Sequence, residues 1–253
     1  MFILECGHNH FGNLNEAKII ANFFLKSSFK NITFMCHTKA WYENHKKNGI
    51  DFKLPINFYK KFIQKCKMKK KKVGLSVCDI ETFHELKNLD FKFYKLLSIA
   101  INNFELIREI DKKKKKIYIS TGYNPSNLKI KKCINSFSKK TPLELLHTPR
   151  TDKHEGLNFK QIERLRKSFN LKVGYSNHFH DPKTLFALTS YNPSVVMLYL
   201  NQKRKKKRKY PDHHHALYLD EIENFKKDYL NCLKTHKITK PKRIDVIYNK
   251  VRF

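Results

Sequence analysis

At 253 residues, with 40% apolar and 13% aromatic side chains, the chain is long enough for one barrel or two small domains and too rich in core formers for global disorder. Only 7 glycines and 8 prolines exclude collagen-like and linker-rich architectures. The 53 Lys+Arg against 22 Asp+Glu give a net charge of +31, which draws anions of any kind: nucleic acid, phosphorylated metabolites or acidic lipid.

The excess charge is almost wholly lysine, in a chain also rich in Asn, Ile, Phe and Tyr. All of these use A/T-rich codons, so codon bias offers a source of charge that owes nothing to binding. The six cysteines, Cys6, Cys36, Cys66, Cys78, Cys133 and Cys232, form no CxxC pair. In a chain of this length that favours reduced thiols and a cytoplasmic location. No apolar run approaches the ~20 residues of a membrane span. Met1–Glu5 lacks the basic start and apolar stretch of a signal peptide.

Short strand-like runs alternate with amphipathic helical ones. Phe2–Glu5 reads as a first strand, followed by a helix over Leu14–Lys26 capped by Asn13 with Ala17, Ile20 and Phe24 on one face. Asn31–Met35 is a second strand, and Pro55–Cys66 a helix opened by proline. Strands three to five are Val73–Cys78, Phe91–Leu97 and Ile117–Ser120, each followed by a helix: Ile80–Lys87, Asn102–Ile110 and Leu128–Phe137. Strands six to eight are Leu143–His147, Val173–Ser176 and Val195–Leu200, followed by Phe159–Phe169, Asp181–Leu188 and Asp220–Leu233. Eight β–α units in this length predict a (β/α)8 TIM barrel over residues 1–233, with a basic tail over 234–253. An open doubly wound sheet is the alternative, and the absence of a glycine-rich first turn argues against it.

The lysine runs take their places in that plan. Lys69–Lys72 and Lys112–Lys116 precede strands three and five, on the face where strands begin, and read as a solvated rim. Lys203–Lys209 follows strand eight, on the face where strands end; it reads either as a collector of anionic substrate or as a loop of drifted composition.

Barrel active sites form where strands end. The polar residues there are Glu5, then Ser76 and Asp79, Lys95 and Ser98, Ser120 and Thr121, His147, then Ser176, Asn177 and His178, and last Asp212 and His213. Carboxylates, hydroxyls, a lysine and imidazoles together suit an anionic substrate with metal assistance. Lys95 lies in the apolar run Phe93–Leu97, where an unpaired buried ammonium is costly. It faces the barrel mouth, to bind an anion or form a Schiff base, or else projects outward between helices. Histidines cluster at His8-Asn9-His10, His178-Phe179-His180 and His213-His214-His215; His178 is best placed. No GxSxG, Walker loop, GxGxxG or zinc-finger spacing occurs.

In this order the motifs resemble the barrel domain of the sialic acid (N-acetylneuraminate) synthases and their pseudaminic and legionaminic acid relatives. The carrying segments are Glu5-Cys6-Gly7-His8-Asn9-His10-Phe11-Gly12-Asn13 with Ala17-Lys18, Tyr94-Lys95-Leu96-Leu97-Ser98, Ile119-Ser120-Thr121-Gly122, Leu145-Leu146-His147, Gly174-Tyr175-Ser176-Asn177-His178, and Pro211-Asp212-His213 with Leu219-Asp220-Glu221. The resemblance implies condensation of phosphoenolpyruvate with an open-chain N-acetylated amino sugar in nonulosonate or surface-carbohydrate biosynthesis, with a manganese or magnesium ion polarising the aldehyde. It implies that Lys95, Ser98, Ser120 and Ser176, with Ser76 in a weaker match, hold phosphoenolpyruvate. His178 would ligate the metal, and Glu5 and Asp212 would bind or polarise the sugar.

The chain departs from that pattern at several positions. Tyr199 falls on the second metal histidine, Thr33 on a lysine of strand two, Ala100 on an acidic residue, and Arg150 and Asp152 on an asparagine and a tyrosine. His180, His213 or His214 are candidate replacements for the histidine, and Arg150 for the missing positive charge near the phosphate. The sequence stops before the family's C-terminal antifreeze-like domain, which reaches the partner's site, and a homodimer is left open. Three alternatives accompany this reading. One is a degenerate homologue that keeps the barrel without turnover. Another is a metal-dependent hydrolase built on His8-Asn9-His10, which lacks the aspartate it needs at Leu200-Asn201. The third is nonspecific polyanion binding by the lysine surface, without an RNP, KH or basic-helix pattern.

Overall fold

The computed structural model describes residues 1–202 and 211–236. The Lys203–Lys209 run and the tail beyond His236 lie outside the described residues. In chain order the elements are β1 (Phe2–Glu5), α1 (Leu14–Lys26), β2 (Asn31–Cys36), α2 (Lys39–Lys47), α3 (Ile56–Met68), β3 (Lys72–Val77), α4 (Ile80–Leu86) and β4 (Phe93–Leu96). There follow α5 (Phe104–Asp111), β5 (Lys116–Ser120), α6 (Asn127–Asn135), β6 (Leu143–His147), α7 (Gln161–Phe169), β7 (Val173–Ser176), β8 (Val196–Asn201), β9 (Leu217–Tyr218) and α8 (Ile222–Thr235).

Each strand from β1 to β8 pairs in parallel with the next, and β8 returns to β1 with Phe2 opposite Val196 and Glu5 opposite Tyr199. The sheet is therefore closed, and the fold is the expected (β/α)8 barrel. Between β7 and β8, the expected helix over Asp181–Leu188 is instead a 3-10 segment, Pro182–Tyr191, ended by left-handed Asn192. Two elements escaped the sequence reading. Helix α2 buries only Tyr42, so its periodic signal is faint. Strand β9 extends the β8 edge by just Leu217 and Tyr218.

Alternation along the strands sets the functional face. Inward residues at the bottom are apolar: Ile3, Phe93, Tyr118, Leu146, Val195 and Met197 form a separate cluster. Two residues further along β1, β4, β5 and β8 stand Glu5, Lys95, Ser120 and Tyr199. The period of two thus turns an apolar plug into a polar floor. Gly74 lets the plug form, because a Cβ there would meet the Phe93 ring at 2.2 Å. The outer faces of the strands pack on the helices through residues such as Phe24, Phe34, Phe62, Leu106, Ile107 and Leu165.

The solvated-rim expectation fails at Lys71. This side chain is buried, and its Nζ donates to the carbonyls of Phe24, Ser27 and Phe29 at 2.6, 2.6 and 2.7 Å, closing the C-terminal end of α1. Unsatisfied carbonyls and the negative end of the helix dipole provide the reason. No helix among the described residues is long and apolar enough to cross a membrane.

Candidate active site

The polar floor is one connected network. Glu5, at the end of β1, is fully buried and has both carboxylate oxygens occupied. Ser76 Oγ donates to Oε1 at 2.7 Å, and Lys95 Nζ forms an ion pair with Oε2. Lys95 also donates to Ser176 Oγ at 3.2 Å and lies 5.7 Å from the Tyr199 ring centroid. Thr33 joins the edge of the network through its Oγ1, 3.0 Å from Ser76 Oγ. Neighbouring strands bring these residues together because Ser76 is in register with Lys95, and Glu5 with Thr33 and Tyr199. A buried ammonium needs such a carboxylate, since either charge alone would be expensive in this interior.

Beside it runs a hydroxyl chain. Ser98 Oγ donates to Ser120 Oγ at 2.8 Å, and Ser120 Oγ lies 2.8 Å from Thr148 Oγ1. The backbone N–H of Gly122 donates to Ser98 Oγ at 2.8 Å. Only glycine allows that approach, because a Cβ at residue 122 would stand 2.6 Å from Ser98 Oγ. Above these groups opens a cavity of about 230 Å³, lined by Lys95, Ser98, Ser120, Arg150, His178 and Asp212 on its polar side. Met35, His37 and Trp41 line its other side. His8 stacks on Trp41 with ring centroids 4.4 Å apart, and His37 with centroids 4.7 Å apart. One wall is thus cationic and hydroxylic, the other aromatic.

Pro211 and Asp212, past β8, border the remaining side. Asn9 links this segment to β8, donating to Leu200 O at 2.7 Å and accepting from Asp212 N at 3.0 Å. Asn177 donates to His215 O at 3.3 Å and to Phe179 O at 3.0 Å. Gly7, at φ +54°, leaves room for Asp212, whose Oδ2 would lie 2.6 Å from a Cβ there. Burial, and then the nearby charge of Glu5, push the Asp212 carboxyl up to about 6. Burial holds the His178 imidazole well below its ordinary value, with His215 adding to the effect. It lowers His215 to about 3. All these histidines are neutral at pH 7.

The His178 ring faces the Tyr199 ring at 5.2 Å and the His215 ring at 4.8 Å. His215 Nε2 is buried without a hydrogen-bond partner and lies 3.7 Å from Asp212 Oδ1. A phenol therefore stands where the resemblance calls for a second imidazole, and His215 comes closest to replacing it. Even so, among the described residues no three His, Cys, Asp or Glu side chains converge as a cation site. The donor set does not fit the implied manganese or magnesium ion.

Of the residues expected from sequence, Lys95, Ser98, Ser120, His178 and Asp212 line the cavity. Glu5, Ser76 and Ser176 lie in the buried network directly beneath Lys95. Three other strand-end residues are spent on structure. Asp79 caps α4 by accepting from Thr82 N at 3.1 Å, His147 Nε2 pairs with Leu157 O at 2.8 Å, and Thr121 Oγ1 donates to Leu146 O at 2.9 Å. Histidines 8 and 10 do not act as a pair: His8 Nε2 meets Tyr42 OH at 3.2 Å, while His10 Nδ1 accepts from Gly12 N at 2.9 Å. Sequence reasoning missed Trp41, Thr148 and His215 as site residues. Only His215 left a signal, in its histidine triplet.

Comparison with known proteins agrees with the architecture. The chain is 27% identical, over 248 residues, to the N,N'-diacetyllegionaminic acid synthase of Campylobacter jejuni, covering 88% of this chain and 73% of the relative. Among solved structures it is similar to the N-acetylneuraminic acid (sialic acid) synthetase of Leptospira borgpetersenii, with a TM-score of 0.82 at 18% identity over 96% of this chain and 87% of that one. It is also similar to the spore coat polysaccharide biosynthesis protein SpsE of Bacillus subtilis, with a TM-score of 0.78 at 18% identity over 95% and 70% of the two chains. The sequence profile of the NeuB family matches residues 18–239, and the chain belongs to the NeuB family.

Proposed function

We propose that this chain is a nonulosonate synthase that condenses phosphoenolpyruvate with an open-chain N-acetylated amino sugar and releases inorganic phosphate. The observation that carries the reading is Lys95: an ammonium fixed by Glu5 and Ser176 at the floor of a cavity whose near wall is hydroxyls. Such a floor binds a small polyanion through charge-assisted hydrogen bonds. Ser98 and Ser120 supply further donors, while Glu5 and Ser176 hold the Lys95 ammonium in place and Ser76 holds Glu5.

In the reaction, C3 of phosphoenolpyruvate attacks the sugar aldehyde, forming the carbon–carbon bond, and the aldehyde oxygen takes up a proton. Water adds to the oxocarbenium carbon C2 and loses a proton. The tetrahedral centre then expels phosphate and leaves a 2-keto acid. Asp212, at about 6, is the cavity carboxyl best matched to pass a proton near neutrality. His178, neutral beside it, offers a hydrogen bond to the sugar. The aromatic wall of Trp41 and His37 suits acetamido and other apolar substituents. The six unbridged cysteines support a cytoplasmic location.

The test is a coupled phosphate-release assay with phosphoenolpyruvate, with and without manganese or magnesium, over a panel of N-acetylated amino sugars. The name of the Campylobacter relative makes a diacetylated sugar the first acceptor to try. One phosphate released per phosphoenolpyruvate with any acceptor is the expected result. Silence across the panel would overturn turnover and leave a degenerate barrel.

A further inference from the structure

Opposite the cavity, the barrel ends in the connections that lead into its strands. Those before β3, β5, β6 and β7 are short, at residues 69–71, 112–115, 136–142 and 170–172. Exposed lysines stand along them: Lys69 and Lys70 before β3, Lys114 before β5, Lys139 and Lys140 before β6, and Lys172 before β7. Neighbouring connections are tied together. Lys72 N donates to Lys30 O at 2.8 Å, Lys113 Nζ to Lys87 O at 2.6 Å, and Leu145 N to Lys172 O at 3.0 Å. The lysines thus form one arc from β3 round to β7, on one end of the molecule.

Little negative charge remains there to meet them. Asp90 pairs with Lys92 and Glu109 with Lys112. Glu144 is buried between Lys116 and Ser194, and Asp111 accepts from Ser138 N and Thr141 Oγ1. Among the described residues the exposed lysines named above are left without an ion pair. Helix C-termini also point this way, and basic residues answer their carbonyls. That accounts for Lys71 and Lys113, whose ammonium groups rest on carbonyls. It does not account for side chains that stand in solvent. Beside Lys69 lies Met68, which at 77% is the most exposed large apolar side chain among the described residues. The exposed aromatics, Phe104 and Tyr123, follow β4 and β5 and so belong to the mouth end.

We propose that this strand-entry end docks on an anionic membrane surface, with its lysines among the lipid phosphates, Met68 at the interface and the cavity turned to the solution. A lipid surface asks only for cations spread over one side, each adding a small attraction, and for an apolar group that can dip between headgroups. Single-stranded nucleic acid asks for exposed aromatic platforms, and this end offers none among the described residues. Short connections leave no projecting element to hold the lysines off a plane. The orientation keeps the mouth open to its substrates, and it holds whether or not the synthase reading does.

The experiment is co-sedimentation of the full chain with vesicles of phosphatidylcholine alone or with about 30 mol% phosphatidylglycerol, in about 0.15 M salt. Binding is expected only to the anionic vesicles. Lys69→Gln, Lys70→Gln, Lys114→Gln and Lys139→Gln combined should weaken it by about tenfold or more. Lys18→Gln, Lys61→Gln, Lys129→Gln and Lys160→Gln combined remove the same charge from other exposed positions and should stay within about twofold. Tryptophan reports the orientation: the added emission of Met68→Trp should shift to the blue on anionic vesicles, and that of Leu128→Trp, at the mouth end, should not. Thermal unfolding checks that each variant keeps the fold. Equal losses in the two lysine sets would mean diffuse charge and overturn the proposal. So would a blue shift at residue 128 instead of 68, or binding lost only when Lys203–Lys209 is neutralised. Failure to bind anionic vesicles would overturn it outright, and tighter binding of a single-stranded RNA to the same lysines would replace the membrane with nucleic acid.

Discussion

Glu5 and Lys95 illustrate what a buried charge requires. Each is nearly inaccessible, and each supplies the other's main compensation. Removing one leaves the other's charge buried and uncompensated, typically at a cost of about 3–5 kcal/mol. Lys95→Met and Glu5→Gln should therefore each lower unfolding stability in urea by about 3 kcal/mol. The double variant should be less destabilised than the sum of the two. Additive losses would mean that the two side chains do not depend on each other. Phosphate release should vanish in Lys95→Met under any outcome consistent with the proposed chemistry. Most of this pair was legible in the sequence, because an isolated lysine in Phe93–Leu97 and a glutamate closing Phe2–Glu5 both break apolar strands. What could not be read was depth. Glu5 lies beneath the cavity with both oxygens taken, and only the register of β1 against β2 and β8 determines that.

Among the elements, α1 and β3 meet through Lys71. The run Lys69–Lys72 is uniform in composition, so nothing in the sequence distinguishes its third member. The structure does, by aiming Lys71 at the carbonyls of Phe24, Ser27 and Phe29. Lys71→Met should cost about 2–3 kcal/mol in urea unfolding, because those carbonyls lose a charged donor inside the protein. Lys69→Met and Lys70→Met, at exposed positions, should stay within about 0.5 kcal/mol. Equal small effects at all three would return Lys71 to the solvated rim. The same contrast explains the other elements misjudged from sequence. Helix α2 carries charge on nearly every face yet is fixed by Tyr42 and by Trp41 stacking on His8. Strand β9 exists because β8 offers it an edge. Both depend on tertiary partners, which local periodicity cannot reveal.

For the whole molecule, acid should be the main threat, and it should act earlier than usual. His8, His10 and His37 are held neutral by burial; His10 and His37 are lowered to about 4, and His8 is well below its ordinary value. The unfolded chain protonates these groups near pH 6.5, whereas the folded chain does not until about 4. In that window the unfolded state binds more protons, so stability falls as pH drops from about 6.5 towards 4. At pH 5, His10 alone removes about 2 kcal/mol, and His37, which is more accessible, removes less. Asp212 has the opposite sign. Its folded value of about 6 exceeds its unfolded one, so protonating it in acid relieves a cost and offsets part of the loss. The histidines outweigh it because several titrate together. The net charge of +31 reinforces them, since each added proton meets a surface that already repels it. Urea midpoints should be flat above about pH 7 and should fall steeply between pH 6.5 and 5. His10→Asn with His37→Asn, which keeps an acceptor for the Gly12 and Thr38 amides, should flatten that fall. Added salt separates the two contributions, because screening relieves surface repulsion but does not restore a buried imidazole. A midpoint that holds level down to pH 5, or one rescued entirely by salt, would place the sensitivity in the lysine surface rather than in the buried histidines.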